Sequence, residues 1–306
     1  MNSTALSTTM AASSVTATAP AKINLTLDVL GRRDDGYHDV RSLVIGVSLY
    51  DHIRCRIRHE PGIELICSDP GLRGSANLAH RATAKLAQQL GHEPALKIEL
   101  EKRIPVGGGM GGGSSDAAST LSLCNDIWGA GLDPAGLAAI GAELGSDVPL
   151  FFSLPSAVVT GRGEKVQPVA LRWSGWVLLV FVDAVVSTTE VYRAWRPSDA
   201  ARLPDKADEA IVMAATADEV SALRSNHLEP AVLRVSPAVA RIYDELNRAG
   251  LGPICITGAG STLYRLFDQE QAAHRVQRRV SDLRIGVTTS VVAAPVGPAS
   301  IASEES

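Results

Sequence analysis

PVGGGMGGGSSDAAS, residues 105–119, holds six glycines among the seven residues 107–113, interrupted only by Met110. Glycine in a folded segment costs conformational entropy, so a run this dense serves positive φ or a close approach of backbone. An alternating stretch, ALKIELE at 95–101, precedes it, and an apolar helical run follows to about Trp128. Strand, glycine loop and helix in that order aim free N–H groups and the positive end of a helix dipole at one spot, which suits a phosphate chain. Pro105, Val106, Gly107, Gly108, Gly109, Met110, Gly111, Gly112, Gly113, Ser114 and Ser115 are therefore the candidate nucleotide-binding residues. The hydroxyls of Ser114 and Ser115 sit at the helix start and suit a phosphate oxygen or a Mg²⁺ ion, with Ser115 the metal candidate. Asp116 falls in the first turn, where a carboxylate favours the dipole. No Gly-Lys-Ser/Thr closes the loop, so it is not a Walker A loop. A flexible linker is the bland alternative, and the apolar flanks and capped helix argue for an ordered turn instead.

Upstream, AKINLTLDV at 21–29 alternates apolar Ala21, Ile23, Leu25, Leu27 and Val29 with polar Lys22, Asn24, Thr26 and Asp28. Period two predicts a half-buried strand with the polar set on one face. A loop, GRRDDGYHD at 31–39, leads to alternation over 40–58, and Ser75 is positioned to cap a helix over 76–90. Downstream, Asp133 and Pro134 signal a helix over 134–143, followed by LGSDVPLFF at 144–152 and short strands near 157–168. The second half predicts a strand at 176–182 and a helix over 189–195 capped by Ser187 or Thr188. Further helices follow between 208 and 249, strands at 254–257, 262–267 and 287–293, and a helix over 269–283. The expectation is two α+β domains, 19–170 and 171–295, flanked by a disordered tail at 1–18 and a frayed one at 296–306, with motifs from both halves sharing one cleft.

Hydrophobic residues make up 45% and charged residues 20% of the 306, close to the globular average, so a sizeable core is available. A net charge of −4 lends no support to a nucleic-acid surface. Cys55, Cys67, Cys124 and Cys255 are scattered without CxxC or CxH spacing, which argues against zinc and for a reduced, cytoplasmic chain. No apolar run reaches the roughly 18 residues of a membrane span. The Ser-, Thr- and Ala-rich start lacks the positive and apolar regions of a secretory signal.

Three stretches in the right order resemble the GHMP kinases: PAKINLTLDVLGRRDDGYHDV at 20–40, the glycine loop, and ITGAGSTLYRLF at 256–267. With LGSDVPLFF, the closest likeness is to the branch that acts on a cytidine diphosphate-linked methylerythritol in the non-mevalonate isoprenoid route. The AKINL and DGYH pieces separate that branch from homoserine, galactose and mevalonate kinases. The likeness spans roughly 20–295 and is weakest over 196–225. It implies a two-domain α+β fold with the site between domains. It also implies ATP and Mg²⁺ as cofactors, and phosphorylation of the substrate's 2-hydroxyl.

Phosphoryl transfer to an alcohol needs positioning, charge neutralisation and an acceptor for the hydroxyl proton. By residue type alone, Asp147 between Gly145 and Pro149 is either a turn former or a general base, and Lys22 is either a solvated face residue or a catalytic cation. The resemblance implies the catalytic role for both, with Lys22 favouring the ionised carboxylate and offsetting charge at the attacking oxygen. Asn24, on the same face as Lys22, suits a hydrogen bond to substrate or to Lys22. Tyr37, His38, Thr188 and Tyr192 are the remaining substrate candidates: aromatic faces sandwich a base, and a histidine offers a donor and an acceptor to a pyrimidine edge. Packing is the competing role for each aromatic. Arg32 and Arg33 carry little weight as phosphate ligands, and RSNHLEP at 224–230 reads as helix and interface structure.

Three other readings compete. Another GHMP kinase of homoserine or mevalonate type is opposed by the DGYH loop and Tyr192. A non-catalytic nucleotide sensor is opposed by retained Lys22 and Asp147. A dinucleotide-dependent dehydrogenase lacks a recognisable acidic strand end about 20 residues past the loop.

Overall fold

A computed structural model describes residues 14–200 and 207–304. In chain order the first half runs β1 (Ser14–Asn24), β2 (Thr26–Arg32), β3 (His38–Ile57), β4 (Gly62–Cys67), α1 (Leu78–Leu90), β5 (Ala95–Glu101), α2 (Gly112–Ile127), α3 (Pro134–Leu144), β6 (Ser156–Gly161) and β7 (Lys165–Pro168). The second half runs β8 (Gly175–Val182), α4 (Thr188–Ala194), α5 (Ala207–Met213), α6 (Ala217–Leu223), β9 (Ser225–Asn226), α7 (Glu229–Val235), α8 (Pro237–Arg248), β10 (Cys255–Ile256), β11 (Thr262–Phe267), α9 (Glu270–Asp282), β12 (Val287–Ala294) and β13 (Ser300–Glu304). No helix among the described residues is long and apolar enough to cross a membrane.

Among the described residues, nine strands form one sheet around the long β3, and β10, β11, β8 and β12 form a second, in that order. The change of sheet falls between Pro168 and Gly175. The first sheet nevertheless recruits β9 and β13 from the second half, so the expected division at 170/171 separates the sequence more cleanly than the architecture. Both expected tails are corrected in part. Residues from Ser14 onward form β1, which pairs antiparallel with β3, and Ser300–Glu304 form β13 against the outer side of β1. Strand pairing satisfies backbone groups that a fraying tail leaves to water. Residues 1–13, 305 and 306 lie outside the described residues.

The alternation in β1 was expected to leave a wet face, and it does not. Ala21 and Ile23 face a core shared with Trp173 and with Val177 and Leu179 of the second sheet, while Lys22 and Asn24 on the opposite face are also buried, beneath the glycine loop and α2. Trp173 closes that core, its indole N–H donating to Asp268 at 3.0 Å, and Asp268 also receives the Ala217 N–H at 2.7 Å. Helix α1 starts two residues later than Ser75 would set it, because the Asn77 side chain accepts from the Ala79 N–H at 2.8 Å. Helices α3 and α4 are capped by Asp133 and Ser187.

Helix α2 starts at Gly112, earlier than the serines, and this moves Asp116 out of the first turn. Its carboxylate meets Lys102 at 2.6 Å, and Lys102 also pairs with Asp51. Asp51 in turn accepts the N–H groups of Arg103 at 2.5 Å and Ile104 at 2.8 Å, so one buried cluster ties β3, the strand end before the loop and α2 together. Removing one partner from such a buried ion cluster costs about 3–5 kcal/mol.

Two carboxylates share one ammonium here, and burial pushes Asp116 up to about 7, with Lys102 opposing and Asp51 assisting. The folded state thus holds a proton on Asp116 between its ordinary 3.8 and about 7, where the unfolded chain has released it. Stability therefore falls as pH rises through that window and levels off above it. Asp116→Asn preserves shape and removes the titration. The melting temperature of Asp116→Asn minus that of wild type should grow between pH 4 and pH 7, read by calorimetry across that range. A constant difference would place the proton elsewhere.

Candidate active site

A cleft of about 1140 Å³ is lined by the glycine loop, Lys22, Asn24, Tyr37, His38, Asp147, Thr188 and Tyr192, so the sequence candidates from both halves come together. Gly107, Gly109 and Gly111 adopt φ of +75°, +77° and +70°, values that penalise any Cβ. Gly111 is the N-cap of α2 and offers no side chain to the helix's first N–H groups, leaving them for an anion. Ser114 lines the cleft, whereas Ser115 is fully buried behind it with an unpartnered hydroxyl. Met110, included as a loop residue, instead anchors the loop: its side chain is buried in the core and its carbonyl accepts the Lys22 N–H at 3.0 Å.

The loop rests directly on the turn between β10 and β11. A Cβ on Gly109 would lie 2.5 Å from the Thr257 carbonyl oxygen, and one on Gly260 would lie 2.2 Å from backbone atoms of Gly108 and Gly109. The Thr262 N–H donates to the Gly108 carbonyl at 3.3 Å. Two of the three resemblance motifs are thus one packed unit.

Lys22 is a buried cation with two supports. Its ammonium donates to Asn24 Oδ1 at 2.7 Å, and Asp147 lies close enough for its charge to oppose the lowering of the Lys22 pKa that burial causes. Asn24 is engaged on every side: Nδ2 donates to Ser42 at 2.8 Å, Oδ1 also accepts from Thr257 at 3.2 Å, and its backbone N–H donates to the same hydroxyl at 3.1 Å. Of the two roles open to Asn24, the structure therefore supports holding Lys22. Asp147 follows α3 in a short turn, where the Val148 N–H closes on Gly145 at 3.2 Å. Gly163 crowds it from the β6–β7 turn, a Cβ there reaching within 3.3 Å of the Asp147 carboxylate.

His38 stacks on Tyr192 with ring centroids 5.0 Å apart and an interplanar angle of 28°. His38 and Tyr192 thus form one wall of the cleft with no room for a base between them, and the expected stacking faces, Tyr37 and Tyr192, both line that cleft. Trp195 meets His38 edge-on at 5.8 Å and lines the cleft. Sequence reasoning missed it, although it stands three residues past Tyr192, on the same helix face. Burial and the Arg32 charge lower the His38 pKa, favouring the neutral ring with one donor and one acceptor. Burial, then the Asp147 charge, pushes the Tyr192 phenol up to about 12. Tyr37 is exposed, with the Arg162 guanidinium 5.0 Å over its ring. Arg33 is held by Asp35 and Asp39 at 3.0 and 2.8 Å, while Arg32 faces the cleft. Thr188, the first residue of α4, also lines it.

Comparison with known proteins identifies the family and the fold. The GHMP kinases N terminal domain matches residues 77–153 and the GHMP kinases C terminal matches residues 212–284. A 4-diphosphocytidyl-2-C-methyl-D-erythritol kinase from Geobacter sp. (strain M21) is 38% identical over 269 residues, covering 87% of this chain and 94% of that protein. One from Pelotomaculum thermopropionicum is 39% identical over 270 residues, covering 87% and 93%. A crystal structure of 4-(cytidine 5'-diphospho)-2C-methyl-D-erythritol kinase superposes with a TM-score of 0.76 at 33% identity, over 92% of this chain and all of that one. A homoserine kinase from Cytophaga hutchinsonii, with a TM-score of 0.73 at 17% identity, shares the fold alone. The chain belongs to the 4-diphosphocytidyl-2-C-methyl-D-erythritol kinase family, and is an ATP-dependent small-molecule kinase of the GHMP type.

Proposed function

We propose that this chain transfers the γ-phosphoryl group of ATP to the 2-hydroxyl of 4-diphosphocytidyl-2-C-methyl-D-erythritol, a cytoplasmic step of the non-mevalonate isoprenoid route. The observation that carries the reading is that Lys22 and Asp147 share one cleft with the glycine loop and with the His38–Tyr192 wall. The hydroxyl oxygen forms the new bond to phosphorus as its proton passes to Asp147. The bond from the γ-phosphorus to the β–γ bridging oxygen breaks, and ADP leaves. Lys22 offsets charge building at the attacking oxygen, and its neighbour Asp147 favours the ionised ammonium. The faces of Tyr37 and Tyr192 offer stacking to the cytosine, and neutral His38 offers one donor and one acceptor to its edge.

Among the described residues, no group of three or more His, Cys, Asp or Glu is arranged to hold a metal. Mg²⁺ fits this site as a companion of the phosphate oxygens, with the Ser114 hydroxyl on the cleft as the protein oxygen donor rather than the expected Ser115, which is fully buried off the cleft, and it would supply charge neutralisation at the phosphates. The direct test is to incubate the pure protein with Mg·ATP and the cytidylated methylerythritol and to locate the new phosphate by phosphorus NMR. Homoserine or mevalonate becoming phosphorylated instead would replace this substrate.

Asp147→Asn keeps size and shape and cannot take the proton, so kcat should fall roughly 10²–10⁴-fold with little change in binding. A kcat within about threefold of wild type, far short of the effect of losing a general base, would leave Asp147 as a turn former.

The loop makes a separate demand. Gly107 has open space where a Cβ would go, whereas Gly109 faces the Thr257 carbonyl. Gly107→Ala should lose the left-handed preference alone, about 1–2 kcal/mol, and weaken ATP binding. Gly109→Ala should melt at a clearly lower temperature, because the two loops must separate. Equal melting temperatures would show that close approach is not what Gly109 serves.

A further inference from the structure

The segment RSNHLEP, residues 224–230, contributes nothing to the cleft wall, yet it clamps two pieces of backbone that do. On one side, Ser225 and Asn226 pair in parallel with Thr26 and Leu27 of β2. The His227 N–H donates to the Leu27 carbonyl at 2.8 Å, and the Val29 N–H donates to His227 Nδ1 at 3.1 Å. On the other side, Arg224 donates to the Ile254 carbonyl at 3.1 Å and Glu229 accepts the Ile256 N–H at 3.3 Å. Between them, Asn226 Nδ2 donates to the carbonyls of Ile256 at 3.0 Å and Gly258 at 2.8 Å. The Leu228 N–H donates to Asn226 Oδ1 at 2.9 Å, which fixes the amide's orientation.

Gly258 is where this clamp bears on chemistry. The β10–β11 register ends at Ile256 paired with Leu263, so Gly258 lies beyond the ladder. It sits at φ +59°, and a Cβ there would lie 3.2 Å from Asn24 Oδ1, 3.5 Å from the Gly109 carbonyl and 3.7 Å from Lys22 Nζ. The residue held by Asn226 therefore lies beside both the cation and the glycine loop, close enough that an added Cβ would contact each.

We infer that Asn226 is a positioning residue for phosphoryl transfer: by holding the Gly258 carbonyl it seats the 257–260 turn that backs the phosphate loop and the Lys22–Asn24 pair. This rests on the kinase reading above. Asn226→Asp tests it, because a carboxylate keeps the acceptor for Leu228 but puts an anionic oxygen against two carbonyls. A displacement of this kind costs up to about a hundredfold in rate. In the folded variant, kcat/KM for ATP should therefore fall by about ten- to a hundredfold, while KM for the cytidylated alcohol, bound at the aromatic wall, stays unchanged. A purely structural role would lower the melting temperature and the active fraction without this split between the two substrates. Asn226→Ser, which retains one donor, carries the same test should Asn226→Asp fail to fold. Wild-type kcat and KM for ATP in a folded variant, or equal changes in both KM values, would overturn the inference while leaving the kinase reading intact. An inactive wild-type protein under the same assay would overturn the kinase reading itself, and this inference with it.

Discussion

The cleft depends on two stretches of backbone meeting without side chains between them. Gly108 and Gly109 lie against Thr257 and Gly260 so closely that a Cβ on Gly109 would fall 2.5 Å from the Thr257 carbonyl and one on Gly260 2.2 Å from the loop backbone. Such contact leaves the phosphate loop little freedom to shift on its own, because its support is main chain and the support is itself bonded to Asn24 and Asn226. Rigidity of that kind matters where catalysis is mostly positioning: phosphoryl transfer asks for atoms already in line and N–H dipoles already aimed.

The same constraint explains why the polar face of β1 is buried. Once the glycine loop docks, its first helix must cross β1, and the strand's alternate residues lose contact with water on both sides. Burying a lysine lowers its pKa and is costly unless the cation is held. Asn24, two residues on and therefore on the same face, supplies the acceptor, while Ser42 and Thr257 satisfy Asn24 in turn. The polar set is thus a chain of partners built from two strands, β1 and β3, and the turn after β10, and Lys22 reaches the cleft in one orientation as a result.

Much of this was legible in the residues, and the limits have physical causes. The loop and the strand that carries Lys22 stood out because glycine density and strand alternation are local signals, whereas the roles given to Lys22 and Asp147 came from the family resemblance, since by residue type each reads equally as a face or turn residue. The strand and helix order was legible for the same reason, with Asp133 and Ser187 capping where their side chains allow. What sequence reading missed was set by distance along the chain. Ser75 and Asn77 are both competent caps, and geometry selected Asn77. The start of α2 at Gly112 was hidden because glycine has no helix preference of its own, and Asp116 was assigned to the dipole instead of to Lys102, fourteen residues earlier. The tails read as disordered from composition, yet β13 pairs with β1 across nearly the whole chain. Asn226 had no local signal at all: its partners lie 30 and 32 residues away.

The distribution of buried charge shows why glycine carries the phosphate-binding task in this fold. A Walker-type loop adds a lysine that reaches the phosphates. Here the lysine nearest in sequence, Lys102, stands before the loop, lines the cleft beside Gly112 and is already paired with Asp51 and Asp116. In the proposed mechanism it is Lys22, with Asp147 beside it, that serves the attacking oxygen. In the proposed reading an incoming triphosphate draws on backbone N–H groups and on the end of the α2 dipole. Those donors have to converge and stay uncovered, which requires left-handed turns at Gly107, Gly109 and Gly111 and an N-cap without a side chain. The cation for chemistry and the donors for binding thus come from different elements, and the 257–260 turn, in contact with both, keeps them in register.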